Sequence, residues 1–148
     1  MLENPRSPRV RAVAKLTKRA ARAESGLFLL EGPQAVAEAL HWRPEGVTQL
    51  FGTPTAFERH AHIAQAAEAA GVPTEFVTEA VLDAMADTVT PQGLIAVAHQ
   101  FPASIKQIFA DAPRLIAICE EVRDPGNLGT IIRAADAAGA DAVVLTGR

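Results

Sequence analysis

Short apolar runs alternate along the chain with segments of helical periodicity. The apolar runs predict strands at residues 27–30, 47–51, 74–77 and 94–98. The segments between them predict helices at residues 33–41, 54–70 and 79–87. Thr53-Pro54 and Thr78 are start signals for the second and third of these helices, and Gly71 suits the left-handed end of the second. Four strands that alternate with helices favour an α/β layer architecture over a helix bundle.

The first 25 residues predict a further helix. Ser7 followed by Pro8 is an N-cap and first-turn signal, and the predicted helix continues to Gly26. One helical stripe is apolar and contains Val13, Leu16, Ala20 and Ala23. The basic residues recur on another face, at Arg11, Lys15, Lys18 and Arg22.

This N-terminal segment differs in charge from the rest of the chain. The whole chain has a formal net charge of −3, yet residues 1–25 contain seven basic and two acidic residues. A cationic stripe without neutralising acids attracts phosphate backbones or anionic lipid. We favour nucleic acid, because the opposite face is too rich in alanine to insert well into a membrane. The predicted RNA-binding residues are Arg6, Arg11, Lys15, Lys18 and Arg22, and a solvated surface helix is the alternative interpretation.

The second half of the chain predicts a separate unit. Pro102 and Pro113 bracket a linker over residues 99–113 with one short amphipathic turn, so residues 1–98 form a first domain and residues 114–148 a second. The run at residues 115–119 is typical of a parallel strand buried on both faces. A helix at 128–138 and a strand at 142–145 complete a right-handed βαβ unit. We expect a fragment of a longer protein, because so small a unit does not fold alone.

The loop DPGNLG, residues 124–129, lies where open α/β sheets place ligands, between the carboxyl end of a strand and a helix N-terminus. Its glycines match neither the dinucleotide fingerprint nor the Walker pattern. Asn127 is the predicted N-cap, and capping alone is the alternative to a binding role. Arg133 follows about 9 Å along the helix, and its side chain tilts back toward the loop. An ion pair with Asp136 is the alternative for Arg133.

Three strings together resemble a known family. DPGNLGTIIRAADAAGADAVVL resembles the first signature of the SpoU/TrmH-type RNA ribose methyltransferases of the SPOUT superfamily, because Asn127, Gly129 and Arg133 meet its pattern N-x-G-x-x-x-R. FLLEG at residues 28–32 and TPQG at 90–93, with the preceding NPR string and basic helix, resemble the RNA-recruiting domain found ahead of many such catalytic domains. That domain has a ribosomal-protein-like α/β/α fold.

The resemblance implies S-adenosylmethionine-dependent methylation of a ribose 2′-hydroxyl in ribosomal RNA by a homodimer. It assigns Arg133 to the reacting ribose and its phosphate, and Asn127 to the shape of the loop and to substrate contact. Such enzymes bind the methyl donor in a C-terminal trefoil knot whose signatures this sequence lacks. We therefore expect an incomplete SPOUT domain with no cofactor-binding residues in this chain, inactive alone and active in the intact protein.

Several classes of protein are excluded or weakened by composition. A single cysteine excludes an internal disulfide, and no Cys/His cluster has metal-ligand spacing. No apolar run approaches the ~20 residues of a membrane helix, and no signal peptide is evident, so we expect a cytoplasmic protein. A noncatalytic RNA-binding module is the main alternative function. A nucleotide-dependent oxidoreductase is weakened by the incomplete glycine pattern.

Overall fold

A computed structural model describes residues 1–147, and the chain divides into two compact units at Gln100. The helices of the first unit are α1 Pro8–Ala14, α2 Arg19–Ser25, α3 Pro33–Trp42, α4 Pro54–Arg59, α5 Ala61–Ala69 and α6 Glu79–Met85. Its strands are β1 Leu27–Glu31, β2 Val47–Gly52, β3 Thr74–Phe76 and β4 Leu94–His99. Single 3₁₀ turns occupy Lys15–Thr17 and Pro44–Gly46.

The first unit is a three-layer α/β/α arrangement, as the sequence predicts. Its sheet has the order β1-β4-β2-β3, with β4 antiparallel to both neighbours and β2 parallel to β3. Successive side chains of a strand point to opposite faces. Accordingly Leu50 packs in a core with residues of α3, α4 and α5, and Phe51 packs in a second core with residues of α1 and α6. Both side chains are fully buried.

The prediction of one continuous N-terminal helix is wrong. Helix α1 ends at Ala14, a 3₁₀ turn follows, and Lys18 is extended before α2 begins. The predicted apolar stripe is buried only at Val13 and Leu16, whereas its two alanines are exposed and α2 buries no residue. Alanine offers little surface to bury, so the second half of the stripe does not hold the chain against the core. The basic residues therefore do not share one face of one helix.

The predicted helix over residues 54–70 is also interrupted. His60, with φ −120° and ψ 47°, separates α4 from α5. The predicted start signals are confirmed, because the hydroxyl of Thr53 accepts a hydrogen bond from the Ala56 amide and that of Thr78 accepts one from the Val81 amide. Gly71 has φ +69°, as its predicted left-handed position requires.

The second unit contains a βαβ motif. Its elements are α7 Ile105–Ala110, β5 Ile116–Glu120, α8 Pro125–Ala137 and β6 Ala142–Thr146. Strands β5 and β6 are parallel, in register from Ile116 opposite Ala142 to Glu120 opposite Thr146. The predicted burial of β5 on both faces is not met by the described residues, because Cys119 is buried while Ile118 is 70% exposed. Among residues 1–147, no helix has both the length and the apolar character needed to cross a membrane.

Candidate functional site

The loop between β5 and α8 is organised by Asp124. Its Oδ2 accepts a hydrogen bond of 2.7 Å from the Asn127 backbone amide, and Pro125 occupies the first helical position. An aspartate cap followed by proline is a strong helix start. The predictions that α8 starts near Leu128 and that Asn127 is its cap are therefore wrong. The Asn127 side chain, in the first turn, is exposed and has no partner among residues 1–147, so its carboxamide is available to a ligand.

Arg133 lies two turns into α8 and is exposed. Its guanidinium forms no hydrogen bond or ion pair within the described part of the chain, so the alternative pairing with Asp136 is absent there. At 3.6 residues per turn, Arg133 stands on the same side of α8 as Gly126 and Gly129. A Cβ added to Gly129 would meet no atom within 4 Å. Gly129 thus leaves space beside Arg133 in the direction of the helix N-terminus, toward which helical side chains lean, whereas a Cβ on Gly126 would lie 3.1 Å from the Asp124 carboxylate.

Asn127 and Arg133 do not share one helix face. They are six residues apart, which rotates Arg133 about 120° around the axis from Asn127. They therefore flank the first turns of α8 from two sides. A ligand at the carboxyl end of β5 can contact both groups only by spanning this turn.

The start of the loop is packed against the end of β6. Glu121 has φ +51°, a left-handed conformation that costs a residue with a side chain on the order of 1 kcal/mol. Its amide donates to the Thr146 carbonyl at 2.9 Å, and a Cβ on Gly147 would lie 3.2 Å from the Glu121 Cα. Arg123 approaches the Glu121 carboxylate at 3.3 Å. No sequence signal indicated this conformation, and it fixes the direction in which the loop leaves β5.

The N-terminal cations fall into two groups. Five of them are exposed, and their side chains have no partner among the described residues; this cationic arm comprises Arg6, Arg11, Lys15, Lys18 and Arg19. Four of the five predicted RNA-binding residues are thus free. Arg19, which lies outside the basic stripe predicted for a continuous helix, is equally exposed and follows Lys18 directly. An unpaired cationic surface of this kind attracts phosphate groups.

The other N-terminal cations contact the protein itself. Arg9 pairs with Glu75 at 2.6 Å and lies 5.7 Å from the centre of the Phe51 ring. Arg22, a predicted RNA-binding residue, donates from Nη1 to the carbonyls of Leu16 and Thr17, at 2.9 and 2.7 Å. These contacts anchor the N-terminal segment, although the Arg9 side chain stays half exposed.

The strings FLLEG and TPQG meet in the first unit. Gly32 donates its amide to the Leu94 carbonyl at 2.9 Å, directly after TPQG. The Glu31 carboxylate accepts hydrogen bonds from the amides of Asp87 and Thr88 and from the Thr88 hydroxyl. Gly93 has φ +83°, and a Cβ there would lie 2.6 Å from that of Ala56. Glu31 and Gly32 of the first string therefore hydrogen-bond the end of β1 to the loop that carries the second string and to the start of β4.

Comparisons with known proteins agree with this architecture. Residues 7–96 match a family described as the MRM3-like substrate binding domain. The chain is 33% identical over 144 residues to the 23S rRNA (guanosine(2553)-2′-O)-methyltransferase RlmP of Bacillus subtilis, an alignment covering 97% of this chain and 53% of that protein.

Solved structures are similar over almost all of the chain. An rRNA methyltransferase from Sinorhizobium meliloti superposes with a TM-score of 0.77 and 28% identity, covering 99% of this chain and 54% of that one, and it has also been solved bound to AdoMet. A TrmH-family structure from Porphyromonas gingivalis superposes with a TM-score of 0.68 and 26% identity, covering 94% and 51% of the two chains. The chain spans about half the length of these relatives. Together with the match over residues 7–96, these similarities show that the chain belongs to the SpoU/TrmH family of RNA methyltransferases, with an MRM3-like substrate-binding domain at residues 7–96.

Proposed function

We propose that the intact protein methylates a ribose 2′-hydroxyl in ribosomal RNA, with S-adenosylmethionine as the methyl donor. The observation that carries the proposal is the exposed guanidinium of Arg133, without a partner among residues 1–147, on the same side of α8 as the open position at Gly129 and within the family signature. The names of the relatives support the substrate, since RlmP is a 23S rRNA 2′-O-methyltransferase. The AdoMet-bound Sinorhizobium structure supports the donor.

Arg133 stabilises charge in this proposal and does not remove the proton. A guanidinium stays protonated in proteins and has donors but no acceptor. Negative charge develops on the ribose oxygen as its hydroxyl loses the proton. The oxygen would then bond to the methyl carbon as the carbon–sulfur bond of the donor breaks and a neutral thioether leaves. Donors of Arg133 directed at that oxygen and at the neighbouring phosphate orient the nucleophile and stabilise the charge. Asn127 contacts the substrate from the other side of the turn, and we assign the proton acceptor to no described residue.

The described residues do not make a pocket for the methyl donor. A site for a ligand of that size buries most of the ligand surface. The side chains around the turn are exposed, including Glu121, Arg123, Asp124 and Asn127. We therefore propose that donor contacts come from parts of the intact protein outside these residues, and that the 148-residue chain alone does not transfer methyl groups.

RNA recruitment is assigned to the cationic arm. Its five side chains are exposed on a substrate-binding domain whose chain contains one Trp, six Phe and no Tyr, which does not suit stacking of many single-stranded bases. Contacts to the phosphates of structured RNA suit such a surface better. A noncatalytic RNA-binding module is the second candidate, favoured by the free cations of the first unit.

We also propose a homodimer that acts in the cytoplasm. The family resemblance supports the homodimer, and the similarity to the bacterial enzyme RlmP supports the compartment. The second unit exposes apolar side chains, with Ile118 70% and Ile132 42% exposed, and such residues are commonly covered in assemblies. Sedimentation of the intact protein tests the dimer, and a monomer across the micromolar range would contradict it.

Methyl transfer tests the proposed function. The intact protein, the 148-residue chain and a buffer control are incubated with methyl-labelled S-adenosylmethionine and rRNA, and the labelled nucleotide is identified by mass spectrometry. The proposal predicts label on a ribose 2′-oxygen with the intact protein, and RNA binding without transfer by the short chain. RNA binding by both proteins with transfer by neither would contradict the enzyme and favour the binding module.

A further inference from the structure

Arg22 occupies the bend between α1 and α2. It is the fourth residue of α2, and its side chain points back toward the start of that helix, as helical side chains do. There its Nη1 donates to the carbonyls of Leu16 and Thr17. These carbonyls lie at the end of the first helical segment, where backbone acceptors lack helical partners.

The position of α2 depends on few other contacts. Helix α2 buries no residue, so the hydrophobic core does not hold it in place. At its far end, Gly26 adopts φ +67° and donates to the Arg22 carbonyl before β1 begins. At its near end, Lys18 is extended, and the guanidinium of Arg22 bridges the gap. A cation that donates to the last carbonyls of a helical segment is also favoured by the helix dipole.

The bend divides the cationic arm. Arg11 and Lys15 lie before it, one helical turn apart, whereas Lys18 and Arg19 lie at the break and at the start of α2. The angle between α1 and α2, which the Arg22 hydrogen bonds restrain, therefore sets the distance between these two pairs. Charge-assisted hydrogen bonds to two carbonyls restrict this angle more than a single contact does.

We infer that Arg22 is a positioning residue for RNA: it holds the bend that places Lys18 and Arg19 relative to Arg11 and Lys15, and it does not contact phosphate. The inference rests on the proposed RNA binding by the cationic arm. It moves Arg22 out of the set of phosphate-binding residues and adds Arg19 to that set. The partner is an RNA whose phosphates match the spacing of the two pairs.

Salt dependence separates a phosphate contact from a positioning role. Binding of the 148-residue chain to a fluorescein-labelled RNA hairpin, with a stem of about 16 base pairs, is measured by anisotropy from about 50 to 200 mM salt. Each phosphate contact that is lost lowers the slope of log affinity against log salt by about 0.7 to 0.9. We expect Lys18→Gln to lower the slope by this amount. We expect Arg22→Gln to lower the affinity about five-fold or more with the slope unchanged, because the loosened bend forms again on the RNA at a cost in ordering and every phosphate contact is retained.

A double variant distinguishes positioning from a general loss of stability. If Arg22 places Lys18, adding Lys18→Gln to Arg22→Gln costs less affinity than it does in the wild type, because the ordering that brings Lys18 to its phosphate is then no longer needed. Independent effects would multiply. Circular dichroism establishes that each variant is folded at the assay temperature. Multiplicative losses in folded variants, or a reduced slope for Arg22→Gln, would overturn the inference.

Arg22→Lys keeps the test informative if Arg22→Gln does not fold. Lysine keeps the charge but lacks the planar fork of donors. If Arg22 contacts phosphate, Arg22→Lys should bind the RNA with an affinity near that of the wild type. If Arg22 is a positioning residue, Arg22→Lys should bind measurably more weakly, with the salt slope unchanged. A wild-type chain that binds the hairpin with no salt dependence would refute RNA binding by the arm itself, which is a different failure from a wild-type affinity in Arg22→Lys.

Discussion

Asp124 caps helix α8 by accepting a hydrogen bond from the backbone amide of Asn127 at 2.7 Å. The cap satisfies the first turn of the helix without using the Asn127 side chain. In the proposed mechanism, stability and substrate contact are thereby divided between two residues of the loop that lie three positions apart. Asp124 supports the turn, and the Asn127 side chain is left for the proposed contact to RNA.

This division predicts opposite effects for two alanine substitutions. Asp124→Ala removes the cap and should cost about 1 kcal/mol of helix stability, whereas Asp124→Asn should retain most of it. Asn127→Ala removes a side chain without a partner among the described residues and should change stability little. In the intact protein it should lower methyl transfer. Hydrogen exchange of the α8 amides measures the stability of the helix. Equal loss of protection in both alanine variants would contradict the assignment of the cap to Asp124 alone.

Gly129 predicts a conflict between stability and activity. It lies inside α8, and an added Cβ meets nothing within 4 Å, so Gly129→Ala should stabilise the helix by up to about 1 kcal/mol. Gly129→Leu should place its side chain in the path from Arg133 toward the loop and lower methyl transfer by the intact protein. Hydrogen exchange and transfer assays on both variants test this. Full activity in Gly129→Leu would show that Arg133 does not use this path.

Gly93 and Gly71 form a matched pair in the first unit. Both have positive φ, at +83° and +69°, but an added Cβ would lie 2.6 Å from Ala56 at Gly93 and would meet nothing at Gly71. Gly71→Ala should cost about 1 kcal/mol for the left-handed conformation. Gly93→Ala adds overpacking of a further 1 to 3 kcal/mol, roughly. Denaturant unfolding measures both, and similar losses would contradict the close approach.

The hydrogen bonds of Asp141 make the stability of the second unit depend on pH in the acid range. Its carboxylate accepts hydrogen bonds from the amides of Leu115 and Arg114, at 3.0 and 2.8 Å, and these lower the pKa of Asp141 below its ordinary value. A lowered folded-state pKa means that the stabilisation is complete above the unfolded value of about 3.9 and is lost as the pH falls through the folded value.

Carboxyl NMR titration of Asp141 and exchange of the two amides measure this effect. Both should change together below about pH 4, and Asp141→Asn should remove the pH dependence of the two amides. An unshifted Asp141 titration, or a pH dependence of the two amides in Asp141→Asn that equals that of the wild type, would contradict the contact.

The sheet of the first unit was predictable from the sequence because its strands are bounded by strong local signals. Thr53, Thr78 and Gly71 all take the positions that their chemistry indicates. The breaks at Lys18 and His60 were not predictable from periodicity alone. An alanine-rich stretch predicts a helix whether or not it packs against the core, because alanine has the highest helix propensity. At the N-terminus, the alanines that follow the break are not buried.

The residues of the candidate site come from the family signature, whereas their arrangement on α8 could not be predicted from the sequence. The family signature identifies Asn127 and Arg133, yet helical periodicity places them on different sides of α8. Aspartate and asparagine are equally good caps, so the sequence could not decide which of Asp124 and Asn127 occupies that position. The use of Arg22 within the protein depends on a bend that the sequence did not indicate.

Arg133 carries the central claim, and substitution of this residue in the intact protein tests it. Arg133→Ala should leave the fold and RNA binding intact, because the side chain is exposed and has no partner among residues 1–147. Removing a donor to a developing oxyanion typically lowers the rate about 100- to 1,000-fold. Arg133→Lys should be nearly as impaired, since lysine lacks the fork that contacts ribose and phosphate together.

The most direct measurement is the single-turnover rate of methyl transfer from labelled S-adenosylmethionine to rRNA by the intact wild type and by Arg133→Ala, with RNA saturating for both. The account predicts a loss of at least about 100-fold in rate at unchanged RNA affinity. Transfer at a rate close to that of the wild type would contradict it.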